Sequence, residues 1–343
     1  MRLGAQFLPE KFDEYIASVR MAEQAGYEFA WLVDSQVLWE DVYVYLTHGL
    51  DSTERITFGT AVTNPVTRHA TVTASFFATL AGLHPGRVAL GIGRGDSSVR
   101  TMGLPPARTG QLEQYVRSLR PLLSAQTAKL DGADVRLRWL QQDPGVPIMM
   151  SGTGPRNLRL AGALADRVML YVGVTPEAVQ WAMRHVGEGA RSAGRDPAEL
   201  KVSILCAMHV SDDHEGAAAA CRWAPAACAN HIADLARNNP RHDMPEVMVR
   251  LLKAREAYDY YSGHLDSSAA HTAYLTTELI DDFAIAGPIE HCLRKLEALA
   301  EIGVDEVSVA YNNGAFEQME LVANKIIPAL AATPAGAPND REK

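Results

Sequence analysis

Short apolar runs alternate with longer stretches of helical spacing along most of the chain. Residues 2–8 read as a strand, and 12–25 as a helix with Phe12, Ile16, Val19 and Ala22 on one face and Gly26 as its stop. Residues 29–33 form a second strand that runs into Asp34-Ser35, and 41–50 form a helix. The third strand covers 56–63 and ends at Asn64-Pro65. A helix over 70–83 sets Val72, Phe76, Leu80 and Leu83 on one face. Residues 88–92 are the fourth strand, entered from the Pro85-Gly86 turn and followed by Gly93 and Gly95. The glycines at 91, 93 and 95 leave room for something bulky against the backbone.

The rhythm continues with a helix over 111–123, a small extra strand over 135–139, and a fifth strand over 147–150 that leads into a helix reaching 165. The sixth strand is 167–172, and Thr175-Pro176 starts a helix with Thr as N-cap and Pro at its first position. Strands seven and eight are 202–210 and 306–310, with helices over 289–302 and 317–330.

Eight strands alternating with helices predict an α/β fold, a (β/α)8 TIM barrel. It forms one domain over 1–332, with a flexible tail over 333–343. A doubly wound dinucleotide sheet needs GxGxxG after its first strand, where nothing of that kind stands. An insertion over 211–285 breaks the rhythm with helical pattern and no clear strand. It follows strand seven, so it would cover the catalytic face. Its Tyr258, Tyr260, Tyr261, His264 and His271 either pack a helical subdomain or shape a substrate pocket.

Composition adds exclusions. The chain is 47% hydrophobic, ample for a large core. No apolar run reaches membrane-spanning length and no signal-peptide layout opens the sequence, so the expected location is cytoplasmic. A net charge of -9 argues against a nucleic-acid partner. The four cysteines have no CxxC spacing, which points away from a zinc cluster or a disulfide framework.

In a barrel, the residues just past each strand face the active site. Here they include Glu10, Asp34, Ser35, Thr63, Asn64, Gly95, Asp96, Gly173, His209 and Asn312. HExxH and GxSxG are missing, and no strand end carries a lysine, so a metal site and a Schiff-base aldolase are both disfavoured. With so few reactive groups of its own, the chain is expected to lean on a cofactor. Gly152-Thr153-Gly154-Pro155 is either a phosphate cradle at a helix N-terminus or a plain turn. Asp34 and Asp96 are either functional carboxylates or caps.

Several ordered segments carry a resemblance: AEQAGYEFAWLVDSQ (22–36), GTAVTNPVTRHA (59–70), PGRVALGIGRGDS (85–97), SGTGPRNLRLAGALADRV (151–168) and FAIAGPIEHCLRKLEALAEIGVDEVSV (283–309). Together they resemble the bacterial luciferase-like superfamily of flavin- and deazaflavin-dependent oxidoreductases. TNPVTRH and GIGRGD are most similar to the branch that includes methylenetetrahydromethanopterin reductase, which uses coenzyme F420. The resemblance implies F420 or FMN as cofactor and a non-prolyl cis peptide at Ala61-Val62, just before Thr63 and Asn64. It also implies a carboxylate beside the cofactor ring at Asp34, a proton donor at Asp96, and a phosphate site at Gly152, Thr153 and Gly154. Ser35, Ala61, Val62, Thr63, Asn64 and Gly95 complete the implied cofactor site, and Trp39 falls on the substrate side. Many members have His after the strand-two Asp, where this chain has Ser35. Arg94 stands where small residues or Pro are common, either to meet an anionic substrate or phosphate or to pair locally. Arg156 and Arg159 are the basic candidates for the acidic tail of a deazaflavin.

The function so implied is hydride transfer between reduced F420 or FMN and a small organic substrate with a C=N, C=C or C=O bond. The alternative is an FMN-dependent monooxygenase served by a separate flavin reductase. A cofactor-binding homologue without catalysis, and a barrel enzyme of other chemistry, complete the readings. Relatives are commonly oligomeric, so a homo-oligomer is expected by analogy.

Overall fold

A computed structural model describes residues 1–238, 244–255 and 258–332. The expected tail over 333–343 lies outside the described residues. Eleven strands occur among those described. β1 (Arg2–Phe7), β2 (Phe29–Leu32), β3 (Thr57–Thr60) and β4 (Val88–Ile92) follow one another in parallel. β5 (Ala128–Leu130) and β6 (Ala133–Val135) form a separate antiparallel hairpin. β7 (Ile148–Gly152), β8 (Arg167–Leu170) and β9 (Lys201–Val210) continue the parallel sheet. β10 (Ala284–Gly287) and β11 (Glu306–Ala310) complete the set.

The ring β1-β2-β3-β4-β7-β8-β9-β11 closes where Arg2 pairs with Glu306 and Gln6 with Ala310. This is the expected eight-stranded parallel barrel. β9 is long enough to serve three neighbours. Its first residues pair with β8, its middle with β11, and Ala207–Val210 with β10.

Three expectations need correction. The segment 211–285 is not without strand, because β10 begins at Ala284 inside it. AIAG is four small buried residues, too short and too featureless for a period to declare itself. The strand expected over 135–139 is instead the β5–β6 hairpin, turned by Asp131 and Gly132 at φ 49 and 84. Asp-Gly in left-handed conformation is the two-residue hairpin loop, and its sequence signal was present. The faces of two helices also differ. Over Ala70–Leu83 the buried stripe includes Thr73, Ala74, Phe77 and Ala81, while Val72 and Leu83 are 52% and 68% exposed. Over Phe12–Ala25 it is Tyr15, Ser18, Val19 and Ala22. The buried faces mix small residues with Tyr15, Phe77 and Leu80, and are rotated by about one residue from the faces expected.

Alternation along the strands divides the core. Phe29, Trp31, Ala61, Ala89, Met149 and Met169 cluster inside the barrel, while residues such as Ala30 and Leu32 pack outward under the helices. The bottom of the barrel is closed by a polar knot. Fully buried Glu306 accepts hydrogen bonds from Trp31 Nε1 at 2.9 Å, Arg167 Nη2 at 2.5 Å and Ser308 Oγ at 2.7 Å. Phe29 stacks on Trp31, with centroids 5.4 Å apart, and carries the Arg167 guanidinium over its ring. Gly4 leaves the space this carboxylate needs, since a Cβ there would lie 2.5 Å from Glu306 Oε1.

Candidate active site

β3 ends at Thr60, earlier than its apolar run. Its ladder to β4 slips by one residue between the Gly59–Ala89 pair and the Thr63–Ile92 bridge, which is a bulge. The Ala61-Val62 peptide within the bulge is cis. Gly91 of β4 lies against it: a Cβ there would stand 1.7 Å from the Thr60 carbonyl oxygen. The room left by that glycine is therefore taken by the neighbouring strand. Gln6 Nε2 donates to the Ala61 carbonyl at 2.9 Å and fixes the bulge from the barrel side.

This bulge is one wall of a cavity of about 580 Å3 at the C-terminal ends of the strands. Asp34, past β2, lines it with only 3% exposure. Its carboxylate does not cap a helix; it accepts from Arg68 Nη1, whose guanidinium lies over the Tyr43 ring. Burial works to lower the Arg68 pKa, but Asp34 beside it outweighs that and raises it.

At the C-terminal end of β7, Gly154 precedes the ten-residue helix Pro155–Leu164, with Pro at its first turn. Gly152, Thr153, Gly154, Arg156 and Asn157 all line the cavity. The start of the helix Thr109–Leu123 reaches the same end through Arg108, Thr109 and Gly110. Thr109 Oγ1 donates to Asn157 Oδ1 at 2.8 Å and ties the two helix starts together. Two helix N-termini and two guanidinium groups make this the electropositive end.

Past β4, Asp96 accepts from Arg100 Nε at 2.7 Å and from Tyr260 OH at 2.9 and 3.1 Å. His231 Nε2 stands 3.7 Å away. Burial pushes the Asp96 pKa up, but His231, Arg100 and Tyr260 outweigh it and hold the carboxyl below its ordinary range. Asp96 makes no side-chain capping bond to the short helix Ser97–Arg100.

The sequence profile of luciferase-like monooxygenases matches residues 2–306. The chain belongs to the luciferase-like monooxygenase family. It is an oxidoreductase of that family. It is 28% identical over 316 residues to the 5,10-methylenetetrahydromethanopterin reductase of Methanolobus tindarius, covering 90% of this chain and 93% of that one. The structure of the coenzyme F420 dependent tetrahydromethanopterin reductase from Methanopyrus kandleri superposes with a TM-score of 0.77 at 23% identity, over 96% of this chain and 99% of that one. A monooxygenase from Streptomyces bottropensis superposes with a TM-score of 0.68 at 17% identity, over 96% and 100%.

Set in this luciferase-like barrel, the residues singled out from the sequence fall into two groups. Asp34, Ala61, Val62, Arg94, Gly95, Asp96, Gly152, Thr153 and Gly154 line the cavity. Ser35, Trp39, Thr63 and Asn64 are not on its wall. Asn64 is fully buried; its Oδ1 accepts from the amides of Val66 and Thr67, and its Nδ2 donates to Ser98 Oγ at 3.1 Å. These bonds tie the loop that follows the bulge. The hydroxyls of Ser35 and Thr63 are buried with no hydrogen-bond partner. Arg94 lines the cavity while its Nε bonds the Ala107 carbonyl at 2.5 Å, so local pairing and site lining coexist. Arg159 instead pairs with Glu188 at 2.8 Å, away from the cavity.

The insertion's residues divide between packing and the cavity wall. His271 is buried against Tyr258, with centroids 4.2 Å apart, and is packing. His231 and His264 reach the cavity, and Tyr260 reaches Asp96. His264 Nδ1 lies 2.7 Å from the Tyr258 hydroxyl, its ring is tilted 5.7 Å from Trp39, and burial pushes its pKa down to about 4.

Gln6, Arg68, Arg108 and His231 were not singled out for the site, and Tyr260 was named only with the insertion. Arg68 stood inside the TNPVTRH segment, and its charge beside a strand-end carboxylate was the available signal. One group of possible metal ligands occurs among the described residues, His214, Asp281 and His291. Lys295 Nζ already lies 3.2 Å from Asp281 Oδ1 there.

Proposed function

We propose that this protein transfers hydride between reduced F420, or FMN, and a small organic substrate with a C=N, C=C or C=O bond. One observation carries the reading: a single cavity is lined at once by an anion cradle at Gly152 to Gly154, by the bulge at Ala61-Val62 and by an ionised carboxylate, Asp96, held by Arg100 and Tyr260. A flavin or deazaflavin fits that layout, with its phosphate at Gly154, Arg156 and Arg108 and its ring against Val62 and Asp34. Bound in reduced form, it supplies the hydride. The chain's own residues hold it, exclude water and manage the proton. Gln6 and Arg68 fix the bulge and Asp34, and Asp96 takes or returns a proton through its contacts with Tyr260 and His231.

The named F420 dependence of relatives supports F420 first, and the fold shared with a monooxygenase keeps FMN-dependent oxygenation, with a flavin reductase as partner, as the second reading. A titration with F420 and FMN in parallel tests the proposal, with micromolar binding of one expected. Binding of neither overturns it, and turnover under strict anaerobiosis rules out the monooxygenase.

Asp34→Asn tests the ring end. It removes the charge that holds Arg68, and a hydrogen bond to a charged group is worth about 1.5–3 kcal/mol. Cofactor affinity is expected to fall about tenfold or more in the same titration. Unchanged affinity removes Asp34 from the cofactor site.

A further inference from the structure

A second cavity of about 290 Å3 lies behind the first, among the C-terminal ends of β1, β9 and β11. Gln6, Trp223 and Leu265 line both, so the two spaces share a wall. Leu265 holds φ at +61, a left-handed conformation that branched side chains rarely adopt, at that shared wall. The lining is chiefly apolar: Leu8, Met208, Cys221, Ala310 and Ala315, with the Tyr311 ring. No Asp, Glu, Lys or Arg contributes to it. Its polar groups are largely spent. The Gln318 amide bonds both the N–H and the carbonyl of Val210, at 2.9 and 3.0 Å, and the Tyr311 hydroxyl pairs with that of Tyr27 at 2.7 Å. Burial lowers the His209 pKa and so disfavours the charged ring. An ion placed here would lose its hydration and find no counter-charge.

We propose that this chamber receives an uncharged, largely apolar arm of the substrate, while the reacting bond sits in the larger cavity. The inference rests on the oxidoreductase reading only for what fills that larger cavity. It makes the substrate a molecule with a neutral hydrocarbon portion and sets phosphorylated and carboxylated compounds apart.

Ligand-observed NMR on the full chain, with and without F420 or FMN, tests this with the neutral probes 2-butanone to 2-nonanone and with octanoate and octyl phosphate. Affinity is expected to rise about fourfold per methylene until the chamber is full, and the anions to bind at least tenfold more weakly than 2-octanone. Ala310→Phe fills the chamber and should flatten the chain-length series with cofactor affinity unchanged. Ala220→Trp, at an exposed position on the same lining, should do the same without touching a barrel strand. Octanoate binding as well as 2-octanone, a flat series in the unaltered chain, or displacement of the ketones by cofactor each overturns the proposal. Ketones that bind as expected to a chain with no affinity for either cofactor leave the chamber standing and remove the hydride-transfer reading instead.

Discussion

Replacing Glu306 by alanine is expected to destabilise the protein by about 3–5 kcal/mol. The carboxylate is fully buried at the floor of the barrel and satisfies Trp31, Arg167 and Ser308 at once. Its removal leaves the Arg167 guanidinium, in a residue 9% exposed, without a counter-charge, and orphans the indole N–H. That penalty comes from the abandoned partner more than from the pair's own net worth. Two further variants separate those contributions. Glu306→Gln keeps a hydrogen-bonding group but no charge, so it should cost less than alanine. Glu306→Leu combined with Arg167→Met replaces the ions by apolar groups of similar size, and should recover most of the loss. Urea denaturation followed by tryptophan fluorescence reads all three, since Trp31 lies inside the knot. If the double variant is as unstable as Glu306→Ala, the charge argument fails and shape alone governs this floor.

The barrel was legible because its cause is periodic. Strands buried on both faces read as apolar runs, and helices as 3.6-residue spacing, whatever their partners. Val88–Ile92 and Glu306–Ala310 match the sequence reading to the residue. What failed was length and face. β3 stops at Thr60 because the next residues enter a bulge that β4 accommodates at Gly91, a pairing between strands that neither strand encodes alone. The outward-facing Val72 and Leu83 show that in a helix apolar nearly all round, Ala70–Leu83, spacing alone does not say which face meets the sheet. At the site, backbone signals survived: Gly152 to Pro155 reads as a turn opening a helix, and that is what it is. Side-chain partners did not survive. Tyr260 meets Asp96 across 164 residues, and nothing local to either announces the other. His231, also in the insertion, reaches the cavity unannounced for the same reason.

Asp96→Asn is expected to lower turnover about 10²- to 10⁴-fold, the range for loss of a general acid–base group, with cofactor affinity nearly unchanged. The substitution preserves shape but removes the charge that Arg100, Tyr260 and His231 converge upon. The direction of the pKa shift makes a second, independent statement. Because the folded-state pKa is depressed below the ordinary 3.8, the carboxylate stays ionised through neutral and mildly acidic pH. The stability its partners gain is present above that ordinary value and is lost only as pH falls through the depressed one. Turnover should therefore show no acid limb from Asp96 between pH 5 and 8, and under the proposed function the resting group would act as a base in the oxidative direction. In the reductive direction it must first collect the proton it passes on, and His231 and Tyr260 are the groups beside it. Tyr260→Phe removes one of the two side chains that donate to this carboxylate, so it should raise the Asp96 pKa and cost turnover about tenfold, less than Asp96→Asn. Following oxidation of reduced cofactor against a carbonyl panel across this pH range measures both variants. Turnover of Asp96→Asn equal to the unaltered chain would reduce this carboxylate to an anchor for the insertion, with the proton supplied from elsewhere in the cavity.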